Sequence, residues 1–252
     1  MSRTVAFIQA RMSSSRFPGK VLQQLGGLAM IDYMATRARK ARLLDDVVVV
    51  TSTDQSDDVL ANTLQSRGLP VFRGDLNDVL RRYADAASAH DADEIVRLTG
   101  DCPLVDPALI DAVIGLRHSA NVSYASNVDP PSFPDGLDVE CFDRDLLQRA
   151  CTMAERPSER EHVTLWMRGA DCNCQRANLQ SIADLSSLRL TIDYPDDLEV
   201  IRHIVSALPG DGNFDMYDIL RVMAARSDLM ALNQHLRNEG LAISLEKEQG
   251  HP

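Results

Sequence analysis

The sequence predicts an α/β fold, a mostly parallel central sheet wrapped by helices, and three observations carry that prediction. Strand-like apolar runs alternate with helical patterns along the chain, as parallel strands joined by crossover helices require. One run, Asp46-Val47-Val48-Val49-Val50-Thr51, is β-branched and apolar throughout, which suits a strand covered on both faces. No internal repeat, low-complexity tract or Gly/Ser-rich linker divides the 252 residues. One domain over residues 1–239, followed by a polar tail at 240–252, is therefore expected.

The elements follow in order. Val5–Ile8 is the first strand, and a polar, Gly-containing loop leads to a helical pattern around Met30–Ala41. After the strand at Asp46–Thr51, Asp57–Arg67 reads as a helix that Gly68 stops. Leu69–Phe72 is a short strand, Asp78–His90 a helix and Glu94–Leu98 a strand. Asp106 as cap and Pro107 in the first turn open the helix Ala108–Arg117. Strands are expected at Val122–Ser126 and Leu137–Phe142, and helices at Arg144–Ala154 and Glu161–Arg168. Leu188–Ile192 reads as a strand, Asp196–Ala207 as a helix, and a final helical region spans about Met216–Asn238.

Composition excludes several function classes. A formal charge of −11 speaks against a general nucleic-acid surface. No stretch approaches the roughly 18 consecutive apolar residues of a membrane span. The start, through Val5-Ala6-Phe7-Ile8, is too short and wrongly flanked for a signal peptide. Five cysteines, an odd number without C-x-x-C spacing, argue for a reducing compartment, and so for a cytoplasmic protein. Cys172 and Cys174 with His162 form a weaker metal pattern, at a spacing zinc sites rarely use.

In a sheet of this kind ligands sit at the carboxyl ends of the strands, so the loops after Ile8, Leu98 and Ile192 carry the chemistry. The first, Gln9-Ala10-Arg11-Met12-Ser13-Ser14-Ser15-Arg16-Phe17-Pro18-Gly19-Lys20, mixes three cations with small hydroxyl residues. Such a loop can wrap a polyphosphate, with arginine forks and a mobile lysine charge on its oxygens. It fits neither G-x-x-x-x-G-K-[ST] nor G-x-G-x-x-G. A solvated polar loop is the plainer alternative. The acidic surface does not forbid the anion: one cation about 4 Å from a phosphate is worth roughly 4 kcal/mol at an effective dielectric near 20. Diffuse surface charge is screened beyond about 8 Å.

The other two loops each place an acid just after a strand, in Leu98-Thr99-Gly100-Asp101-Cys102-Pro103 and Leu190-Thr191-Ile192-Asp193-Tyr194-Pro195. If their strands flank the first, Asp101 and Asp193 converge on the phosphate loop. Magnesium favours one or two carboxylates completed by phosphate oxygens and water. A turn aspartate at 101 and a helix cap at 193 remain the alternatives.

The motifs Q-A-R-M-S-S-S-R-F-P-G-K, F-R-G-D, R-L-T-G-D-C-P-L-V-D-P, F-P-D-G-L-D-V-E, E-R-E-H-V-T and L-R-L-T-I-D-Y-P-D-D-L-E occur in order over residues 3–208. In these the chain resembles the SpsF-type spore-coat polysaccharide cytidylyltransferases, a group similar to CMP-3-deoxy-manno-octulosonate and CMP-acylneuraminate synthetases. The resemblance implies a Rossmann-like, GT-A-type nucleotidyltransferase fold that is often dimeric. Its nucleotide half would span about residues 1–120, its acceptor and dimerisation part 121–185, and its closing part 186–239. It implies transfer of CMP from CTP to a sugar, such as a 2-keto sugar acid, with Mg2+ as cofactor.

Carried over by motif, Arg11, Arg16 and Lys20 would hold the triphosphate, with Ala10 and Ser14 beside them. Asp101 and Asp193 would hold magnesium, and Arg73 and Thr99 would line the nucleotide pocket. Asp138, Glu140, Glu161 and His162 would meet the acceptor, although a structural acid or a bonded histidine suits those positions equally well. A glycosyltransferase consuming a nucleotide sugar and a nucleotide-binding homologue without turnover stay open.

Overall fold

The computed structural model describes residues 2–233 and 235–236. The tail expected from Gly240, and the end of the helix expected to reach Asn238, lie outside the described residues. In chain order come β1 (Thr4–Gln9), the hairpin β2 (Gln24–Leu25) and β3 (Leu28–Ala29), α1 (Met30–Ala38), β4 (Asp46–Ser52), α2 (Asp58–Ser66) and β5 (Val71–Gly74). Next are α3 (Val79–Ala89), β6 (Glu94–Thr99), α4 (Pro107–Ala120), β7 (Tyr124–Ser126), β8 (Glu140–Asp143) and α5 (Arg144–Met153). The chain continues through α6 (Pro157–Glu161), α7 (Leu165–Arg168), β9 (Arg176–Asn178), α8 (Pro195–Ser206), α9 (Met216–Ala225) and α10 (Ser227–Asn233).

The main sheet runs β5-β4-β1-β6-β8-β7-β9. β5, β4, β1 and β6 are mutually parallel, β7 and β9 are parallel, and β8 alone runs against its neighbours. This is the mostly parallel, helix-wrapped sheet that the strand–helix alternation predicts. The long β-branched run explains itself in the packing: Val47 and Val49 enter one core while Val48 and Val50 enter the other. Ala6 and Ile8 of β1 join the first core, Val5 and Phe7 the second. Met34, Ile110 and Ile201 close the first from α1, α4 and α8; Tyr83, Leu147 and Trp166 close the second from α3, α5 and α7. At roughly 1.5–3 kcal/mol per buried large apolar side chain, these two layers fix the sheet that presents the loops.

The expected strand Leu188–Ile192 belongs to no sheet. Its backbone bonds to loops instead, with Leu190 N–H donating to Asp135 O at 2.6 Å and Ile192 N–H to Asp101 O at 2.8 Å. Alternation reports one buried face, and Leu190 and Ile192 bury theirs in the first core. The helix expected over Glu161–Arg168 is instead α6 and α7, broken where Val163 takes φ 40°, an uncommon conformation for a β-branched residue. The last helical region breaks between α9 and α10, and the strands expected at Leu69–Phe72 and Leu137–Phe142 form further along, as β5 and β8.

Candidate active site

The carboxyl ends of β1 and β6 lie side by side, Gln9 opposite Thr99. Gly100 N–H donates to Gln9 O at 2.8 Å, and a side chain at this position would bring its Cβ within 2.8 Å of the same oxygen. Only glycine allows the two loops to approach so closely. In the first loop, Met12 N–H donates to Asp57 Oδ1 at 2.7 Å and Gly19 N–H to Met12 O at 2.9 Å. Gly19, at φ 71°, then opens a 3-10 turn that carries Lys20 inward until it is 7% exposed.

Lys20 Nζ lies 3.1 Å from Asp101 Oδ2, 2.9 Å from Asp193 Oδ1 and 2.7 Å from Ile192 O. Arg16 Nη2 is 2.7 Å from the same Asp193 oxygen, and its guanidinium lies 5.7 Å from the Tyr194 ring centre. Burial disfavours the Lys20 ammonium, but Asp101 and Asp193 outweigh it and the pKa is raised. Burial likewise works against both carboxylates. Lys20 nevertheless holds Asp101 below the usual range, and Lys20 with Arg16 brings Asp193 down to about 2. Both acids are therefore ionised at neutral pH. Asp193 is not a helix cap: Asp197 Oδ2 accepts its backbone N–H and that of Tyr194, each at 2.9 Å.

A second wall rises from the loop before β8. Gly136, at φ 106°, lets Leu190 pass so closely that an added Cβ would sit 2.5 Å from its carbonyl carbon. Glu140 is 3% exposed; it accepts from Tyr124 O–H at 2.6 Å and pairs with Arg97, with Arg168 Nε 3.9 Å away. Burial would raise its pKa, yet Arg97 and Arg168 prevail and lower it. Asp135 meets Arg189 Nη1 at 3.3 Å, but burial still lifts it to about 6. Asp138 rises further, to about 7, through burial and then Asp135, Glu140 and Asp101, against Arg97. Arg189 joins the walls, 2.8 Å from Asp197 and 3.4 Å from Asp193.

The two walls enclose a cleft of about 740 Å³. Residues 5–207 match the family described as "Cytidylyltransferase". The chain belongs to the cytidylyltransferase family. Among relatives, the spore coat polysaccharide biosynthesis protein SpsF of Bacillus subtilis is 33% identical, over 80% of this chain and 86% of its own. A 3-deoxy-manno-octulosonate cytidylyltransferase of Anaeromyxobacter sp. (strain K) is 37% identical, over 82% and 99%. The solved structure of a cytidylyltransferase from Leptospira borgpetersenii superposes with a TM-score of 0.87 at 30% identity, covering 94% of this chain and all of the other. The protein is thus a nucleotidyltransferase by family and by fold, and among the described residues no helix is long and apolar enough to cross a membrane.

In this cytidylyltransferase the cleft gathers Ala10, Arg11, Ser14, Arg16, Lys20, Thr99, Asp101 and Asp193 from three distant stretches of sequence, with Asp138, Glu140, Glu161 and His162 opposite. Arg11 pairs loosely with Glu161 at 3.9 Å, and Ser14 Oγ accepts from Phe17 N–H at 3.3 Å. The Thr99 hydroxyl lies 3.1 Å from Cys102 Sγ. Burial lowers the pKa of His162, and the cations Arg97, Arg168 and Arg11 add to that against Glu161. Arg73 stands apart. It does not line the cleft, and it braces Ser52 O at 2.8 Å, Asp54 O at 3.0 Å and Asp58 Oδ1 at 2.6 Å.

Among the charged cleft residues, Arg82, Arg97, Asp135, Arg168 and Arg189 escaped the sequence reading. Two had a signal. Arg97 is a charge among the apolar Ile95, Val96 and Leu98 of a central strand, and Arg189 shares the alternate positions of Thr191 and Asp193. Asp101 and Asp193 fit a magnesium ion in chemistry, being two ionised oxygen donors whose carboxylates already share one cation, the Lys20 ammonium. Among the described residues no three His, Cys, Asp or Glu side chains gather as a metal group. Nucleotide oxygens and water would therefore complete the shell.

Proposed function

We propose that this enzyme transfers CMP from CTP to a hydroxyl of a sugar, releasing pyrophosphate, and that the acceptor is a 2-keto sugar acid or a related polysaccharide precursor made in the cytoplasm. The observation that carries the reading is the convergence of Arg16 and Lys20 on Asp101 and Asp193 in one cleft, since each is remote in sequence from the other pair. The names of the relatives support cytidine and an acidic sugar.

Arg11, Arg16 and Lys20 bind the triphosphate. Arg16 and Lys20 exchange a carboxylate oxygen for a phosphate oxygen as it enters, so they face the departing pyrophosphate with fixed positive charge. Asp101 and Asp193 would hold the magnesium, which when bound offsets charge on the α-phosphate. Arg189 keeps Asp193 oriented through its fork to Asp193 and Asp197. The same face carries Gly100, whose lack of a side chain leaves room where the loops meet. A homodimer, in which such enzymes are often found, belongs to the same proposal.

The test is pyrophosphate release from CTP and magnesium, with 3-deoxy-manno-octulosonate as acceptor, by wild type and Asp101→Asn. The wild type turns over, and the variant loses about 10³-fold in rate. A variant as fast as wild type would remove the metal-holding role, and binding of CTP without any turnover by wild type would remove the transfer.

A further inference from the structure

An acceptor hydroxyl must lose its proton as its oxygen bonds to phosphorus, and the phosphate-side wall offers no group to take it. Arg16 and Lys20 are cations, and Asp101 and Asp193 are held ionised by those cations. On the opposite wall Glu140 is consumed by Arg97 and Tyr124, Asp135 by Arg189 and Glu161 by Arg11, and His162 is engaged as well. Asp138 is the exception. Asp138 lines the cleft, and among the described residues no hydrogen bond or ion pair reaches its carboxylate. The charged groups that face it are Asp135 from its own loop, Glu140 from β8, Asp101 from the loop after β6, and Arg97 from β6.

A carboxylate crowded by three others binds a proton more readily than one held by a cation. Burial first, and then these neighbours, raise Asp138 to about 7, close to the pH at which a proton acceptor works best. Its position and lack of a partner matter as much as its basicity. A side chain already bonded to arginine would have to break that bond before it could turn to a substrate, and Asp138 has none to break.

We propose that Asp138 is the general base of the transfer, accepting the proton of the acceptor hydroxyl as that oxygen attacks the α-phosphorus. The proposal rests on the cytidylyl-transfer reading above. In the step, the O–H bond breaks toward the Asp138 carboxylate and its electron pair forms the new P–O bond. The bond from the α-phosphorus to the bridging oxygen breaks, and pyrophosphate leaves with that electron pair. The proton on Asp138 passes to solvent after product release, restoring the carboxylate.

The experiment compares wild type with Asp138→Asn, which keeps the side chain's shape and removes its ability to take a proton. Pyrophosphate release is followed from about pH 5.5 to 9 with CTP, magnesium and 3-deoxy-manno-octulosonate, and CTP binding by calorimetry. The expected result is a loss of about 10²–10⁴-fold in kcat with CTP affinity held within about threefold, and disappearance of the acid limb seen in wild type. Wild-type kcat in the variant, an acid limb that persists in it, or a collapse of CTP affinity alongside kcat would each overturn the base. A wild type that releases no pyrophosphate with this or any other sugar acid offered would instead overturn the transfer reading itself, and the base with it. The two failures are therefore distinct.

Discussion

The two walls of the cleft contain the same side-chain types in different proportions. On the side of the loop after β1 two carboxylates meet Lys20, Arg16 and Arg189, and each is locked in its charged form. On the side of the loop before β8, Asp135, Asp138 and Glu140 meet Arg97, Arg168 and the shared Arg189. Glu140 takes the first two, Asp135 the third, and Asp138 is left over. Burial raises the acids on both sides, and the cations decide how far: Lys20 and Arg16 bring Asp193 down to about 2, while Asp135, with Arg189 alone, and Asp138 climb to about 6 and 7. In the proposed transfer one wall would present constant charge to a constant anion. The other holds acids that titrate near neutrality, as the proposed acceptor hydroxyl would need and a phosphate would not.

The largest effect should come from breaking the locked side. Lys20→Met deletes the ammonium that Asp101 and Asp193 share and leaves two carboxylates facing one another. Removing one partner of a buried ion cluster costs about 3–5 kcal/mol, and loss of its charge on the phosphates should lower kcat/KM by about 10³-fold. Magnesium would then substitute in part for the missing charge. Thermal melts with and without the ion should show a larger rise in Tm for the variant than for wild type. An equal rise in both would mean that the two aspartates do not share a cation site.

Next in size is Gly136→Ala, which strikes the contact between the walls. Its Cβ would meet Leu190 at 2.5 Å from a φ of 106°, so the segment carrying Arg189, Thr191 and Asp193 must shift. A destabilisation of about 2 kcal/mol or more is expected from the strain alone, together with lost turnover. A variant with wild-type Tm would show that the segment moves freely and that the walls are not coupled through it.

This coupling also explains what the sequence could and could not disclose. The parallel half of the sheet was legible, because β1, β4 and β6 are largely apolar runs and two of them, β1 and β6, end in loops with chemistry in them. So was the convergence of Lys20, Asp101 and Asp193, because each acid or cation follows a recognisable strand-like run. The segment Leu188–Ile192 was misread as a sheet strand because alternation records a buried face and not the identity of the hydrogen-bond partner. The break at Val163 left no trace, since a β-branched residue gives no hint of positive φ. Arg73 resembled a pocket residue by motif, yet its fork is spent on Ser52, Asp54 and Asp58. The leftover charge on Asp138 was invisible for a different reason: it depends on which of three arginines each acid reaches, and pairing across loops is a property of the folded chain.

The smallest effect sharpens the comparison most. Asp138 carries a folded-state pKa near 7, above the ordinary carboxylate value of about 4. Between those values the folded chain holds a proton that the unfolded chain has released. Its stability relative to the unfolded state therefore falls as pH rises through that window and levels off above it. Asp138→Asn should remove this penalty, raising Tm at pH 8 by roughly 5 °C, for about 2 kcal/mol, while leaving Tm near pH 4 almost unchanged. Asp193→Asn should do the reverse. Its depressed pKa contributes stability that is present above about pH 4 and lost as pH falls through about 2, so the variant melts lower at neutral pH. Melting curves at the two pH values separate the walls directly. An Asp138→Asn protein that melts below wild type at pH 8 would mean that Asp138 has a stabilising partner in solution, and the asymmetry between the walls would not hold.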